Sequence, residues 1–234
     1  MNLQNKVVLI TGGSQGIGLA TAKMLSEKGA TVVITARNEA KLKEAAAQTG
    51  ATAIAGDVAN EADVKRIYQT ISEKFGRLDA LVNNAGYGYF DTLENMNVES
   101  FNKVFATNVT GAMLMARDAV PFFKKQNYGN IINISSTAGL RGFAGGTAYS
   151  ATKFALKAMT ECWRAELRQH NVRVILINPS EVQTDFVVNS GRESRQFNPT
   201  KLLAEDIAHT VCGALEMADR GFITELTVFA TNPQ

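Results

Sequence analysis

Thr11-Gly12-Gly13-Ser14-Gln15-Gly16-Ile17-Gly18 places four glycines within eight residues. It follows directly on Val7-Val8-Leu9-Ile10, a short aliphatic run rich in β-branched residues. It leads directly into Ile17, Ala20, Thr21, Met24 and Leu25, which recur at helical spacing. A buried strand, a glycine turn and a helix are thus joined without a linker. Glycine in such a turn permits positive φ and lets an anionic group approach the free N–H groups at the helix start. Taken alone, the same residues also make a tight strand–helix junction. The spacing is G-x-x-x-G-x-G, not the G-x-G-x-x-G of the common dinucleotide fingerprint.

The alternation continues outward from this unit. Thr31-Val32-Val33-Ile34-Thr35, Ala80-Leu81-Val82, Asn130 to Ile134, Val172 to Ile177 and Ile223 to Phe229 are strand-like, most of them apolar without interruption. Continuous rather than alternating hydrophobicity marks strands covered on both faces of a parallel sheet. Between them lie helical stretches, including Val64 to Phe75, Val98 to Lys125, Tyr149 to Gln169 and Ala204 to Ala218. Gly29, Gly76 and Gly129 stand between helix and strand, where a left-handed C-cap is expected. The expected fold is α/β: a Rossmann-type doubly wound parallel sheet of about seven strands, helices on both faces, forming a single domain over residues 1–234. Ligands of such sheets sit beyond the carboxyl ends of the strands, so the residues following each strand carry the functional reading.

Composition narrows the classes. The chain has 234 residues, 24 Lys and Arg against 22 Asp and Glu, and a net charge of +2, which gives no electrostatic case for nucleic acid. With 45% hydrophobic and 20% charged residues it reads as an ordinary globular chain, not a disordered or collagenous one. Cys162 and Cys212 are far apart, and His170 and His209 are isolated, so neither a disulfide framework nor a metal site is expected. The polar start, Met1 to Lys6, lacks the apolar core of a secretory signal, and no run is long enough to span a membrane. A cytoplasmic protein is the expectation.

The second strand ends at Thr35-Ala36-Arg37-Asn38. An NAD site places an acid about 20 residues past the glycines, on the ribose 2′-hydroxyl. Here Arg37 stands instead, and a guanidinium suits the 2′-phosphate of NADP, so NADP(H) is favoured over NAD(H). Gly56-Asp57-Val58 follows the third strand and Asn83-Asn84-Ala85-Gly86 the fourth; as bare composition both also make plain turns. Ser135-Ser136 close the fifth strand, and Tyr149 and Lys153 lie at i and i+4 on the next helix, facing the same way. A tyrosine near pKa ~10 would need lowering by about 3 units, roughly 4 kcal/mol, to exchange protons at neutral pH. One cation at ~4 Å and effective dielectric ~20 supplies about that much. Desolvation alone would raise the tyrosine instead, so a cation is required. Lys153, aided by an oxidised nicotinamide, is the candidate; a buried Tyr and an exposed Lys sharing a helix by chance is the alternative.

Together, Thr11-Gly12…Gly16-Ile17-Gly18, Asn83-Asn84-Ala85-Gly86, Asn108, Ser136 and Tyr149-Ser150-Ala151-Thr152-Lys153 resemble the short-chain dehydrogenase/reductase superfamily, in its single-domain branch. The resemblance runs from about Lys6 to Phe229. It implies Tyr149 as the catalytic acid or base and Ser136 as the donor that holds the substrate oxygen. Lys153 would lower the tyrosine pKa and bind the nicotinamide ribose, and Asn108 would hold a proton-relay water. Gly12, Gly16, Ile17 and Gly18 would line the pyrophosphate, with Ser14 and Arg37 near the 2′-phosphate. Asp57 and Val58 would flank the adenine, and Asn84, Ala85 and Gly86 the adenosine ribose. Pro179, Val182 and Thr184 would hold the carboxamide.

Two positions depart from the family pattern: Ser180 replaces the usual glycine after Pro179, and Gln15 stands where many NADP members carry a basic residue. The segment 185–203 is expected to cover the substrate; Arg192 or Arg195 within it could meet a carboxylate or phosphate, although a solvated loop is the commoner reading of such residues. Tyr87, Tyr89, Phe90 and Phe143 could equally form an apolar wall or be ordinary core or interface residues. The resemblance implies an NADP(H)-dependent oxidoreductase acting on a carbonyl or secondary alcohol of a small molecule. It also implies a homotetramer or homodimer through helices near 98–125 and 149–169. A 3-oxoacyl-[acyl-carrier-protein] reductase, with acyl carrier protein as partner, and a non-catalytic NADP-sensing regulator are the alternatives.

Overall fold

The continuous apolar runs send side chains to both faces of one sheet. In β1 (Val7–Thr11), Val8 and Ile10 join one core cluster and Val7 and Leu9 the other, all of them buried. The same split recurs in β2 (Thr31–Thr35), β4 (Ala80–Asn83), β5 (Gly129–Ile134) and β6 (Val172–Pro179). With β3 (Thr52–Ala53) and β7 (Glu225–Val228) they form a seven-stranded parallel sheet in the order β3-β2-β1-β4-β5-β6-β7. The structure is a computed structural model and describes residues 1–193 and 196–232, so Arg195 lies outside the described residues.

Helices α1 (Gly16–Glu27), α2 (Glu39–Thr49) and α8 (Ala204–Glu216) cover one face through Ala22, Leu25, Leu42, Ile207 and Leu215. The other face carries α3 (Glu61–Phe75), α5 (Ala112–Gln126) and Leu167 at the end of α6 (Thr147–Leu167). This is the doubly wound arrangement expected from the alternation. Strand order reverses at β1 and β4, and a crevice opens there beyond the carboxyl ends. Among the described residues no helix is long and apolar enough to cross a membrane, and no group of three His, Cys, Asp or Glu is placed to hold a metal.

Two local readings change. The stretch 98–125 is not one helix: α4 (Val98–Phe105) passes into π-helical turns over Ala106–Gly111 before α5 begins. Helical spacing alone does not register one extra residue per turn, so the widening is invisible to the periodicity. Gly129 is not a C-cap. Asn127 takes the left-handed conformation at φ 49, and Gly129 is already the first residue of β5. Glycine stands there for space, since a Cβ would come within 2.3 Å of the buried Phe123 ring. Gly29 and Gly76 do adopt positive φ, at 83 and 65.

Candidate active site

The glycine turn is shaped by what lies against it. Gly12 has φ 65, and a Cβ there would sit 3.0 Å from the Ala85 backbone. A Cβ on Gly18 would meet the Gly12 carbonyl at 2.3 Å, so Gly18 lies beneath the turn and not on the cleft wall. The Thr11 hydroxyl accepts from the backbone N–H groups of Asn84, at 3.0 Å, and Ala85, at 2.9 Å. The Asn84 amide answers by donating to Thr11 O at 2.9 Å and Gly12 O at 3.2 Å. The first turn and the end of β4 are thereby one unit. Asn38, Asn60 and Asn97 cap α2, α3 and α4 with their side chains, whereas Gln15 makes no side-chain cap on α1 and no acid stands in its first turn. The N-terminal N–H groups of α1 remain available to an anion.

A cleft of about 1460 Å³ runs from this turn across the carboxyl ends of the sheet. Gly12, Ser14, Gln15, Gly16 and Ile17 line its floor, and Arg37, Asp57 and Val58 stand at the β2–β3 end. No hydrogen bond or ion pair of the Arg37 side chain occurs among the described residues. Asp57 uses Oδ1 to accept from Ala59 N at 2.9 Å, closing its own turn. Asn84, Ala85 and Gly86 form the middle of the wall, and Ser136, Tyr149 and Lys153 stand at the far end with Pro179, Val182 and Thr184. Of the catalytic and cofactor-binding residues expected, Gly18 and Asn108 lie off the cleft surface.

Tyr149 and Lys153 are both buried, and the Lys153 Nζ lies 5.6 Å from the Tyr149 ring centroid. Nζ donates to the Ile134 carbonyl at 2.9 Å, which tethers the ammonium to the end of β5. Burial pushes the Tyr149 hydroxyl up to about 12, against the opposing pull of a Ser136 hydrogen bond and the charge of Arg192. Burial also brings the Lys153 ammonium down to about 8. The expected lowering of the tyrosine is therefore not a property of the pair alone. Desolvation is the largest cause of the Tyr149 shift and the cause of the Lys153 shift. Phe90 and Phe186 flank the phenol, with ring centroids 5.3 and 5.4 Å away, and Phe143 stands 6.1 Å from Phe90. Tyr87 also lines the cleft, but Tyr89 does not; its hydroxyl accepts from Asn97 N at 2.8 Å instead.

Asn108 sits behind the cleft, in the π-helical turns, with its side chain fully engaged. Nδ2 donates to Tyr87 O at 2.9 Å and to the Thr152 hydroxyl at 3.1 Å, while Oδ1 accepts from Tyr87 N at 3.1 Å. Thr152 in turn donates to Tyr149 O at 2.7 Å. Thr11 and Thr152 are the positioning residues that sequence reasoning passed over. Each sat inside a quoted motif, and only the hydroxyl's partners, distant in sequence, disclose its task. Ser180 needs no glycine conformation: it lacks positive φ and donates its N–H to Val228 O at 2.8 Å. The covering segment is tied at its ends by a Val182–Leu202 bridge and by reciprocal Gln183–Asn198 bonds of 2.6 Å.

A glycine cradle with positive φ, an uncapped helix start and a long cleft ending at a buried tyrosine fit an extended dinucleotide. Comparisons with known proteins agree. The family model for short chain dehydrogenases matches residues 6–195. An uncharacterized oxidoreductase of Thermotoga maritima is 40% identical over 208 residues, 87% of this chain and 81% of that protein. The 3-ketoacyl-(acyl-carrier-protein) reductase of Brucella melitensis, solved with NADH, superposes with a TM-score of 0.90 at 31% identity, covering 98% of each chain. A metagenomic short-chain oxidoreductase solved with NADP gives 0.85 at 34% identity, covering 99% of this chain and all of that one.

The buried ammonium has a consequence for stability. Unfolded, Lys153 titrates near 10.5; folded, near 8. Below about pH 8 the folded state bears the whole penalty, on the order of 3 kcal/mol, which fades as pH rises toward the unfolded value. Lys153→Met should therefore raise the urea midpoint of the nucleotide-free protein at pH 7, less about 1 kcal/mol for the Ile134 carbonyl left without its donor. The advantage should shrink at pH 10. Equal midpoints at pH 7, or a gain that grows with pH, would contradict the burial argument.

Proposed function

The chain belongs to the short-chain dehydrogenase family, and on that premise we propose that it is an NADP(H)-dependent oxidoreductase interconverting a carbonyl and a secondary alcohol on a small molecule. One observation carries the reading: a single cleft has Arg37 at one end and Ser136, Tyr149 and Lys153 at the other. The nicotinamide ring supplies or accepts the hydride.

Tyr149 donates its phenolic proton to the carbonyl oxygen in reduction and takes it back in oxidation. Ser136, whose hydroxyl accepts from Ala138 N at 3.1 Å, keeps its own proton for the substrate oxygen. At neutral pH burial keeps Tyr149 protonated, while Lys153 at about 8 still carries its charge for the most part. That protonation state is the one reduction needs, and the nearby ammonium stabilises the phenolate left behind. Asn108 spends both amide protons and one lone pair of Oδ1 inside the fold, so a relay water beside it would be held by its main chain in the π-helical turns or by the remaining lone pair. Tyr149→Phe should abolish turnover and leave NADPH affinity within about threefold, since only the proton is removed. Retained turnover in a stopped-flow assay would overturn the assignment.

NADP preference rests on Arg37. Its exposed guanidinium has room for a bidentate grip on a 2′-phosphate, and no acid stands at the end of β2 to receive a free 2′-hydroxyl. Arg37→Asp should weaken NADPH relative to NADH by about 10- to 100-fold, the scale of a charge-assisted bond replaced by repulsion. Titration of both nucleotides by fluorescence reads the ratio, and an unchanged ratio would sink the preference. A homodimer or homotetramer through α4, α5 and α6 completes the reading, supported by Val98 on α4 and Phe154 on α6, exposed at 72% and 46%. Sedimentation velocity should show a multiple of the monomer mass.

A further inference from the structure

The substrate end of the cleft contains a cation that the hydride-transfer machinery does not use. Beyond α7 (Phe186–Asn189), Gly191 adopts φ 72 and turns the chain back on itself, with Gly191 N bonded to Val188 O at 3.0 Å and Arg192 N to Val187 O at 3.1 Å. This turn returns Arg192 to the cleft wall. Its guanidinium carbon lies 4.1 Å from the Phe90 ring centroid, and Phe90 itself touches Tyr149. The Ser190 hydroxyl accepts from Gly88 N at 2.9 Å, fastening the turn to the loop after β4. Arg192 is therefore held from two sides.

Its polar valence is nonetheless unspent. The Arg192 Nε is buried without a hydrogen-bond partner, and no carboxylate pairs with the side chain among the described residues. Glu181, on the same cleft, is paired with Lys201 at 2.6 Å. Stacking on Phe90 fixes the plane of the guanidinium while leaving its N–H fork free, the geometry that meets a carboxylate through two parallel bonds. The Arg192 charge also acts on the Tyr149 hydroxyl, so the guanidinium is near enough to the reacting position to matter electrostatically. A buried, unpaired donor is costly unless a ligand satisfies it.

Resting on the reductase reading above, we propose that Arg192 is the specificity-determining residue of this site: it binds the carboxylate of a small keto acid, or of the matching hydroxy acid, whose carbonyl or hydroxyl lies at Tyr149. Phe90 and Phe186, placed between and beside the two polar groups, take the short carbon skeleton. A neutral carbonyl compound leaves the guanidinium unsatisfied and is the poorer substrate.

Acetoacetate, methyl acetoacetate and hydroxyacetone phosphate, each assayed with NADPH, test the proposal together with calorimetric binding of malonate to the NADP⁺-loaded protein. Arg192→Met should lower kcat/KM for acetoacetate by about 10- to 100-fold more than it lowers that for the ester, which shares any effect of the lost charge on Tyr149. Malonate binding should weaken in parallel, NADPH affinity should not, and Arg192→Lys should fall between. An equal fall on acid and ester, or malonate binding indifferent to Arg192, would overturn the proposal. So would a wild-type preference for the phosphate ester that disappears in the variant. If the wild type reduces none of the three while malonate binding still depends on Arg192, the anion site stands and the reductase reading fails.

Discussion

The contact on which the site depends is the one between the Thr11 hydroxyl and two consecutive backbone N–H groups, those of Asn84 and Ala85. It joins the exit of β1 to the exit of β4, the two strands between which the sheet changes direction. Without it each exit would be an independent loop. With it, and with the Asn84 amide returning to the Thr11 and Gly12 carbonyls, the glycine turn is braced by the sheet itself. Gly18 belongs to the same constraint, because only a hydrogen at that position lets α1 approach the turn.

A second line of buried polar contacts reaches the other end of the cleft. Gly86 leaves room for the Asn108 amide, whose oxygen would lie 3.0 Å from a Cβ there. Asn108 spans from Tyr87 to Thr152, and Thr152 bonds back to Tyr149 O. Because the side chains of Asn108 and Thr152 both find partners, the network positions α6 without an orphaned group of its own. Widening of the helix at Ala106–Gly111 is how the chain aims that amide. Gly139 adds a close approach from the opposite side, its Cα so near the Lys153 carbonyl that a methyl would intrude at 2.9 Å.

Much of this was legible beforehand, for a physical reason. Strands buried on both faces must be apolar throughout, so Val7–Ile10 and Val172–Ile177 identified themselves, and strand ends in a parallel sheet must carry the ligand contacts. The glycines at 12 and 16 and the Tyr149–Lys153 spacing were visible because they are local. What depended on distant partners was not visible. Thr11 and Thr152 looked like ordinary motif residues, Gly129 like a cap, and 98–125 like a plain helix. The direction in which desolvation pushes a tyrosine follows from chemistry alone, but how deeply Tyr149 and Lys153 are both buried does not, because burial is set by the surrounding chain.

The covering segment is closed at its base by the Val182–Leu202 bridge and the paired Gln183–Asn198 bonds. A loop whose ends are pinned this way adds little chain entropy when it is lengthened or exchanged, since the closure is already made. Changes between the pins need not propagate into the strands that hold the dinucleotide. On the proposed reading, substrate choice could thus drift, or be grafted, as a module, while the hydride-transfer end of the cleft stays unchanged.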